Sequence, residues 1–297
     1  MHRRVSAVVG LVLATGLAGV VSRAADAPAV PAAAAVTDAE GKEVKVTALK
    51  FGTGTHRLAW LGDPAGATED AKKGPLALEL REPHSTTYAK GVVTYVPLAS
   101  VESIRYDYDK QVAAVAVKGL ADPLAGTLQY KGINVLAFSG AADGKTASFS
   151  GGAFTKGNIK AVAFPESLPV PKRTGAPWLV QIDQPKAENP TLKAANFKFL
   201  YQFPGGVEVL TDTATARKGE PLKLDDSVKA FTPVAVDQNT HMAAVEVQVG
   251  DAEKVVVIPQ EIEKDGKKGV LAGLLGEVDA GWKLFPLHTI KSMKRAK

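Results

Sequence analysis

The stretch IRYDYD, residues 104–109, sets Ile104, Tyr106 and Tyr108 against Arg105, Asp107 and Asp109 in strict alternation. A period of two puts one set of side chains on each face of an extended chain, the pattern of a half-buried β-strand. The pattern recurs on both sides of it. Leu76, Leu78 and Leu80 alternate with Ala77 and Glu79, and Ala113, Val115 and Val117 follow the same rule. Phe197, Phe199, Tyr201 and Phe203 alternate with Lys198, Leu200 and Gln202. Helical periodicity is weak, and its best stretch, residues 69–73, is too short to be a main element. Turn chemistry agrees with strands. Asp143-Gly144 and Asp265-Gly266 sit between apolar runs, where a two-residue hairpin turn needs positive φ at both central positions. Pro204-Gly205-Gly206 turns the aromatic strand back toward residues 207–210. The expected fold is all-β and antiparallel, built as small barrels or sandwiches in two related domains.

The ends and breaks of the pattern divide the chain. Residues 1–24 open with Met1-His2-Arg3-Arg4, continue through an apolar stretch of about 15 residues, and close on Ser22-Arg23-Ala24, the order of a secretory signal peptide. The apolar stretch is shorter than the roughly 20 residues a membrane-spanning helix needs. Residues 25–36 are rich in Ala and Pro and read as a tether. Pro165, Pro169, Pro171 and Pro177 interrupt regular pairing, so a first β domain is expected at 37–165, a linker at 166–177 and a second β domain at 178–297. The chain holds 36 Lys+Arg and 31 Asp+Glu; removing Arg3, Arg4 and Arg23 with the leader leaves 33 against 31, a net +2. Such a balance is no argument for nucleic-acid binding, which wants a clustered basic face, and the one cluster, Lys291, Lys294, Arg295 and Lys297, reads as a solubilising end. The absence of cysteine removes disulfides, thiol nucleophiles and thiolate metal sites together.

Two segments resemble each other. VPLASVESIR, residues 96–105, aligns with FPLHTIKSMK, residues 285–294, with eight of ten positions identical or chemically similar. Both read as a strand end, a Pro-Leu step, a one-turn connection and a new strand. A fainter third match is IKAVAF, residues 159–164. The arrangement resembles the closing corner of SH3-like and Sm-like small β-barrels, which carry many unrelated functions. Residues 74–109, with TDAEGKEVKVTALKFGTG at 37–54, resemble an uncharacterised family of exported proteins from planctomycete-type bacteria. That resemblance implies export to the bacterial envelope or exterior and transfers no activity.

No assembled catalytic motif stands out. His2, His56, His84, His241 and His288 lack the spacing of a metal motif, so no metal site and no cofactor are expected, and each histidine reads as a surface or loop residue. Asp107 and Asp109, two apart on an expected strand, point the same way and form a candidate carboxylate pair, with Arg105 and Lys110 beside them. Asp225-Asp226 read as turn residues. Ser148 and Ser150, before Gly151-Gly152, lack the first glycine and the following helix of a nucleophile elbow. Residues 140–146 echo a phosphate loop but are one residue short. The loop Arg81-Glu82-Pro83-His84-Ser85-Thr86-Thr87-Tyr88 is the richest in chemistry, and Arg81, Glu82, His84 and Tyr88 are its candidate binding residues. The Phe197–Phe203 stripe reads as core, because Phe lacks the polar end of Trp and Tyr. Trp60, Trp178 and Trp282 stand apart in sequence and are open to either a core or a ligand-contact role. These features point to an exported, non-catalytic binding or scaffolding protein whose partner is an envelope or extracellular protein or glycan, with no membrane span after the leader. An exported polysaccharide hydrolase with carboxylates gathered by folding, or a small-ligand carrier, is the alternative.

Overall fold

The computed structural model describes residues 30–63, 65–66, 69–81, 91–127, 136–152, 157–182, 191–214, 222–237, 242–249 and 251–296. The expected leader lies outside them. Strands dominate and every pairing is antiparallel, as the alternation requires. Asp143 and Gly144 take φ of 49° and 74°, and Asp265 and Gly266 take 51° and 69°, as hairpin turns of this type demand.

An eight-stranded sheet runs in the order Lys145–Gly151, Leu136–Ala142, Glu43–Phe51, Ala33–Asp38, Ile159–Ala163, Val101–Asp107, Val112–Val117 and Leu124–Thr127. The strand Ala33–Asp38 takes in residues 33–36, which the Ala/Pro composition assigns to the tether. Ala34 and Val36 are buried there, because a central strand between two neighbours has room for small side chains.

A thirteen-stranded sheet begins with Ala252–Pro259, Met242–Val249, Val228–Asp237, Ile290–Arg295 and Trp178–Ile182. It continues through Thr191–Phe203, Lys267–Val278, Gly281–Phe285, Val93–Pro97, Leu76–Arg81 and Thr55–Arg57. Val207–Thr211 pairs with Thr191–Phe203, and Glu261–Lys264 pairs with Lys267–Val278. This sheet takes strands from both sides of residues 166–177. The Pro-rich segment therefore separates the strands along the chain but not into separate sheets. Among the described residues both sheets are open, with unpaired end strands in their pairing order, rather than closed barrels.

Three apolar clusters fill the spaces between these strands. One joins the eight-stranded sheet, through Val36, Val46, Ile104, Val115 and Leu136, to Leu78, Leu80 and Val96 of the larger sheet. A second holds Trp178, Val180, Phe231, Val245 and Met293 with the stripe Phe197, Phe199, Tyr201 and Phe203. That stripe is buried, as its composition implies. A third lies on the other face of the strands around Tyr95 and holds Leu58, Ala77, Val93, Leu200, Leu275 and Leu284. Each fully buried Leu, Val or Phe stabilises the fold by about 1.5–3 kcal/mol relative to an exposed one.

The two segments alike in sequence are alike in shape. Val93–Pro97 leads through a one-turn helix at Leu98–Ser100 into Val101–Asp107. Gly281–Phe285 leads through Leu287–Thr289 into Ile290–Arg295. Pro97 and Pro286 cap these turns at φ −51°, ψ 125° and φ −56°, ψ 137°. The preceding hairpins keep one register: Leu78 faces Val96 as Leu274 faces Phe285. The two strands also pair with each other, Val93 opposite Leu284, Thr94 opposite Lys283 and Tyr95 opposite Trp282. With Val96 aligned to Phe285, exchanging the segments leaves this pairing unchanged. A local two-fold axis therefore passes between Thr94 and Lys283. The third match forms the strand Ile159–Ala163 only, with no one-turn helix after it.

Candidate functional site

The candidate loop lies largely outside the described residues. Arg81 ends the strand Leu76–Arg81, with its backbone opposite Val93, and Glu82, His84 and Tyr88 are beyond the described part. Asp107 ends its strand, while Asp109 lies in the turn that follows. The two thus do not share a strand face, because the chain leaves the sheet at Tyr108. Asp107 Oδ1 accepts the Lys110 backbone N–H at 2.9 Å, and its Oδ2 meets Lys110 Nζ at 3.0 Å. These backbone and side-chain bonds from Lys110 hold the Asp107 carboxyl below its usual pKa. Asp107 and Asp109 line a shallow recess of about 260 Å³ with Ala39, Tyr106, Tyr108 and Lys160. Asp107 acts there as a turn cap, its oxygens already engaged.

Other sequence features resolve structurally. Ser148 and Ser150 lie within the strand Lys145–Gly151. Asp225 accepts the Ser227 N–H and hydroxyl in a turn, and Asp226 meets Arg295 at 3.1 Å. Trp178 is fully buried under the Arg295 guanidinium, 4.4 Å above its ring. Trp60 and Trp282 are different: both are partly exposed and both pack on the cluster around Tyr95.

Seven strands of the larger sheet bring that cluster together. In order they are Val207–Thr211, Thr191–Phe203, Lys267–Val278, Gly281–Phe285, Val93–Pro97, Leu76–Arg81 and Thr55–Arg57. The first and last are far apart in pairing order, yet a side chain from each meets the other. His56 Nε2 lies 3.1 Å from Glu208 Oε2, joining residues 152 positions apart in the chain. The sheet therefore curls until its two edges face each other, and they are bridged by side chains instead of backbone bonds. We refer to this junction as the seam.

Rings and carboxylates crowd the seam. The His56 ring lies 4.9 Å from Tyr95 and 5.9 Å from Trp60. Trp60 meets Tyr95 edge-on at 5.9 Å. Directly opposite residues on adjacent strands share a face, so Glu79, Tyr95, Trp282 and Glu277 form one row across four strands. The one-turn helix Ala59–Leu61 carries Trp60. Its position is fixed by Leu58, whose N–H donates to Pro75 O at 2.9 Å, and by Gly74. At Gly74, with φ +80°, a Cβ would lie 2.0 Å from Leu58 O, so only glycine lets the two chains approach this closely.

The electrostatics are specific. The Glu208 side chain is 4% exposed and that of His56 26%. Glu208 uses both oxygens: Oε2 with His56, and Oε1 accepting from Gln202 Nε2 at 3.0 Å. Burial alone lowers the pKa of His56. The hydrogen bond and charge of Glu208 and the charge of Glu79 outweigh it and hold His56 above 6.5. The indole N–H of Trp60 is shut off from solvent and has no hydrogen-bond partner among the described residues, a deficit that costs on the order of 1–3 kcal/mol.

The sequence reading treated His56 as a surface residue and missed this cluster. His56 and Glu208 each look ordinary locally, and only the curl of the sheet joins them. The one local signal was a partly polar strand, Thr55-His56-Arg57, ahead of Trp60. No family model matches the chain, and neither a curated protein nor a solved structure is similar to it. Among the described residues, no three His, Asp or Glu side chains converge as a metal site, and no helix is long and apolar enough to cross a membrane.

Proposed function

We propose that the protein is an exported, non-catalytic binding module whose ligand contacts lie at the seam. The observation that carries this reading is the packing of Trp60 and Tyr95 against the His56 ring of the His56–Glu208 pair, with Trp282 opposite Tyr95 on the next strand. Rings with an apolar body and a polar tip are the side chains that recur where a surface is half dry and half wet. Glu208 is held at both oxygens, which suits a residue that fixes the seam better than a group that must hand over a proton. A hydroxyl-rich ligand such as an envelope glycan fits the chemistry: the partly exposed rings of Trp60 and Trp282 for its C–H surfaces, and the partly exposed carboxylates of Glu79 and Glu277 for its hydroxyls.

Export rests on the leader-like order of residues 1–24 and on the resemblance of residues 37–54 and 74–109 to exported planctomycete-type proteins. The matched corners at Pro97 and Pro286 support an internal duplication of a strand–corner–strand unit.

The test is titration calorimetry of the full chain against soluble glycans prepared from bacterial envelopes. Binding is expected, and Trp60→Ala and Trp282→Ala are each expected to weaken it by roughly tenfold or more, which is about 1.4 kcal/mol. Binding that is absent, or that both variants leave intact while still folded, overturns the assignment of the seam.

A further inference from the structure

We infer that the seam is a proton-controlled clasp, closed while His56 is charged and loosened when it is neutral. The inference rests on the reading of the seam as the binding site, and adds its regulation. The geometry comes first. Among the described residues, neither Thr55–Arg57 nor Val207–Thr211 has a sheet partner on its seam side. What spans the gap is the His56–Glu208 pair, with Trp60 of the one-turn helix against the His56 ring.

The charged groups facing His56 are Glu208, from the strand Val207–Thr211, and Glu79, from the strand Leu76–Arg81. Tyr95, from the strand Val93–Pro97, is the other titratable group in ring contact. With His56 protonated, its charge lies against the Glu208 carboxyl at 3.1 Å; once the proton leaves, that ion pair is lost. Glu208 is almost fully buried, so it cannot recover the lost compensation from water. Leaving a buried carboxylate without its counter-charge is strongly unfavourable. Neutral His56 can still donate one N–H to Glu208, so the bond weakens without vanishing. The edges separate because that residual bond no longer offsets the desolvation of the Glu208 carboxylate.

The sign follows from the direction of the shift. A histidine whose folded pKa stands above its unfolded value contributes stability that is complete below about pH 6.5 and is lost as pH rises through the folded pKa. The clasp is thus shut below about pH 6.5 and yields as pH rises through the folded pKa of His56. A ligand seated between the edges would be exchanged more quickly above that pKa.

Hydrogen exchange of the full chain, corrected for the intrinsic pH dependence of exchange, tests this. In the wild type, protection of residues 207–211 is expected to fall through a single titration with a midpoint above about 6.5. Protection of the central strand Trp178–Ile182 should stay flat over the same range. His56→Gln is expected to remove the titration. NMR titration of the His56 ring in the unaltered chain gives the midpoint independently, should the variant fail to fold. Protection at 207–211 that stays flat, or that still titrates in folded His56→Gln, overturns the clasp. The exchange readout needs no ligand. A flat profile with glycan binding intact would remove the regulation and leave the binding site, and a titrating profile without glycan binding would do the reverse.

Discussion

Single residues carry constraints that the alternating pattern does not display. Gly281 opens the strand that meets Tyr95, at φ +133°, and a Cβ there would lie 2.3 Å from Tyr95 O. Gly281→Ala is expected to destabilise the fold by more than about 1 kcal/mol, read as a lower midpoint in urea unfolding. Trp178 shows the opposite kind of constraint, a large ring wholly enclosed beside Phe197 and under Arg295. Trp178→Ala should cost about 3–5 kcal/mol, while Trp60→Ala, at a partly exposed position, should cost clearly less in the same assay. If the two tryptophans prove equally costly, the division between a core ring and a rim ring is wrong. Composition could not sort them, since Trp60, Trp178 and Trp282 all sit in mixed sequence. Burial depends on which strand lies opposite, and that is fixed by pairing across the chain.

At the scale of elements, local chemistry was largely decisive. The Asp-Gly turns, the buried stripe at Phe197–Phe203 and the short helix Glu69–Lys73 lie where residue type and spacing place them. The Pro-Leu corners are the clearest case. Proline pre-sets φ near −65°, and Pro97 and Pro286 adopt nearly the same backbone angles before identical one-turn helices. Pro97→Ala and Pro286→Ala are therefore expected to lose similar amounts, about 0.4–1 kcal/mol each, by denaturant unfolding. A large inequality between them would mean that the corners differ in what they support. Asp109 marks the limit of the pattern. Its alternation with Tyr108 continues past Asp107, but the strand ends there, because Gln111 at φ 53° turns the chain into the next strand. Period two describes which way side chains point only while the backbone stays extended.

The whole molecule is organised by pairings the sequence does not announce. Val93–Pro97 joins Gly281–Phe285, with Tyr95 opposite Trp282, 187 positions further along the chain, so strands from both halves share one sheet and one apolar cluster around Tyr95, Leu200 and Leu284. The full chain should accordingly unfold in one transition. A fragment of residues 178–297 should not be a stable monomer, because the edge at Gly281–Phe285 and the ring of Trp282 would lose their cover. Calorimetry showing two separate transitions, or a fragment as stable as the full chain, would contradict this. By itself, the sequence determined the fold class, the turns and the corners, since these follow from steric preferences within a few residues and from alternation along one strand. The tertiary structure alone decided the joining of the halves, the curl of the sheet and the meeting of His56 with Glu208. Those depend on contacts between distant segments, where many pairings satisfy the same local pattern and only the packing of the complete chain selects one.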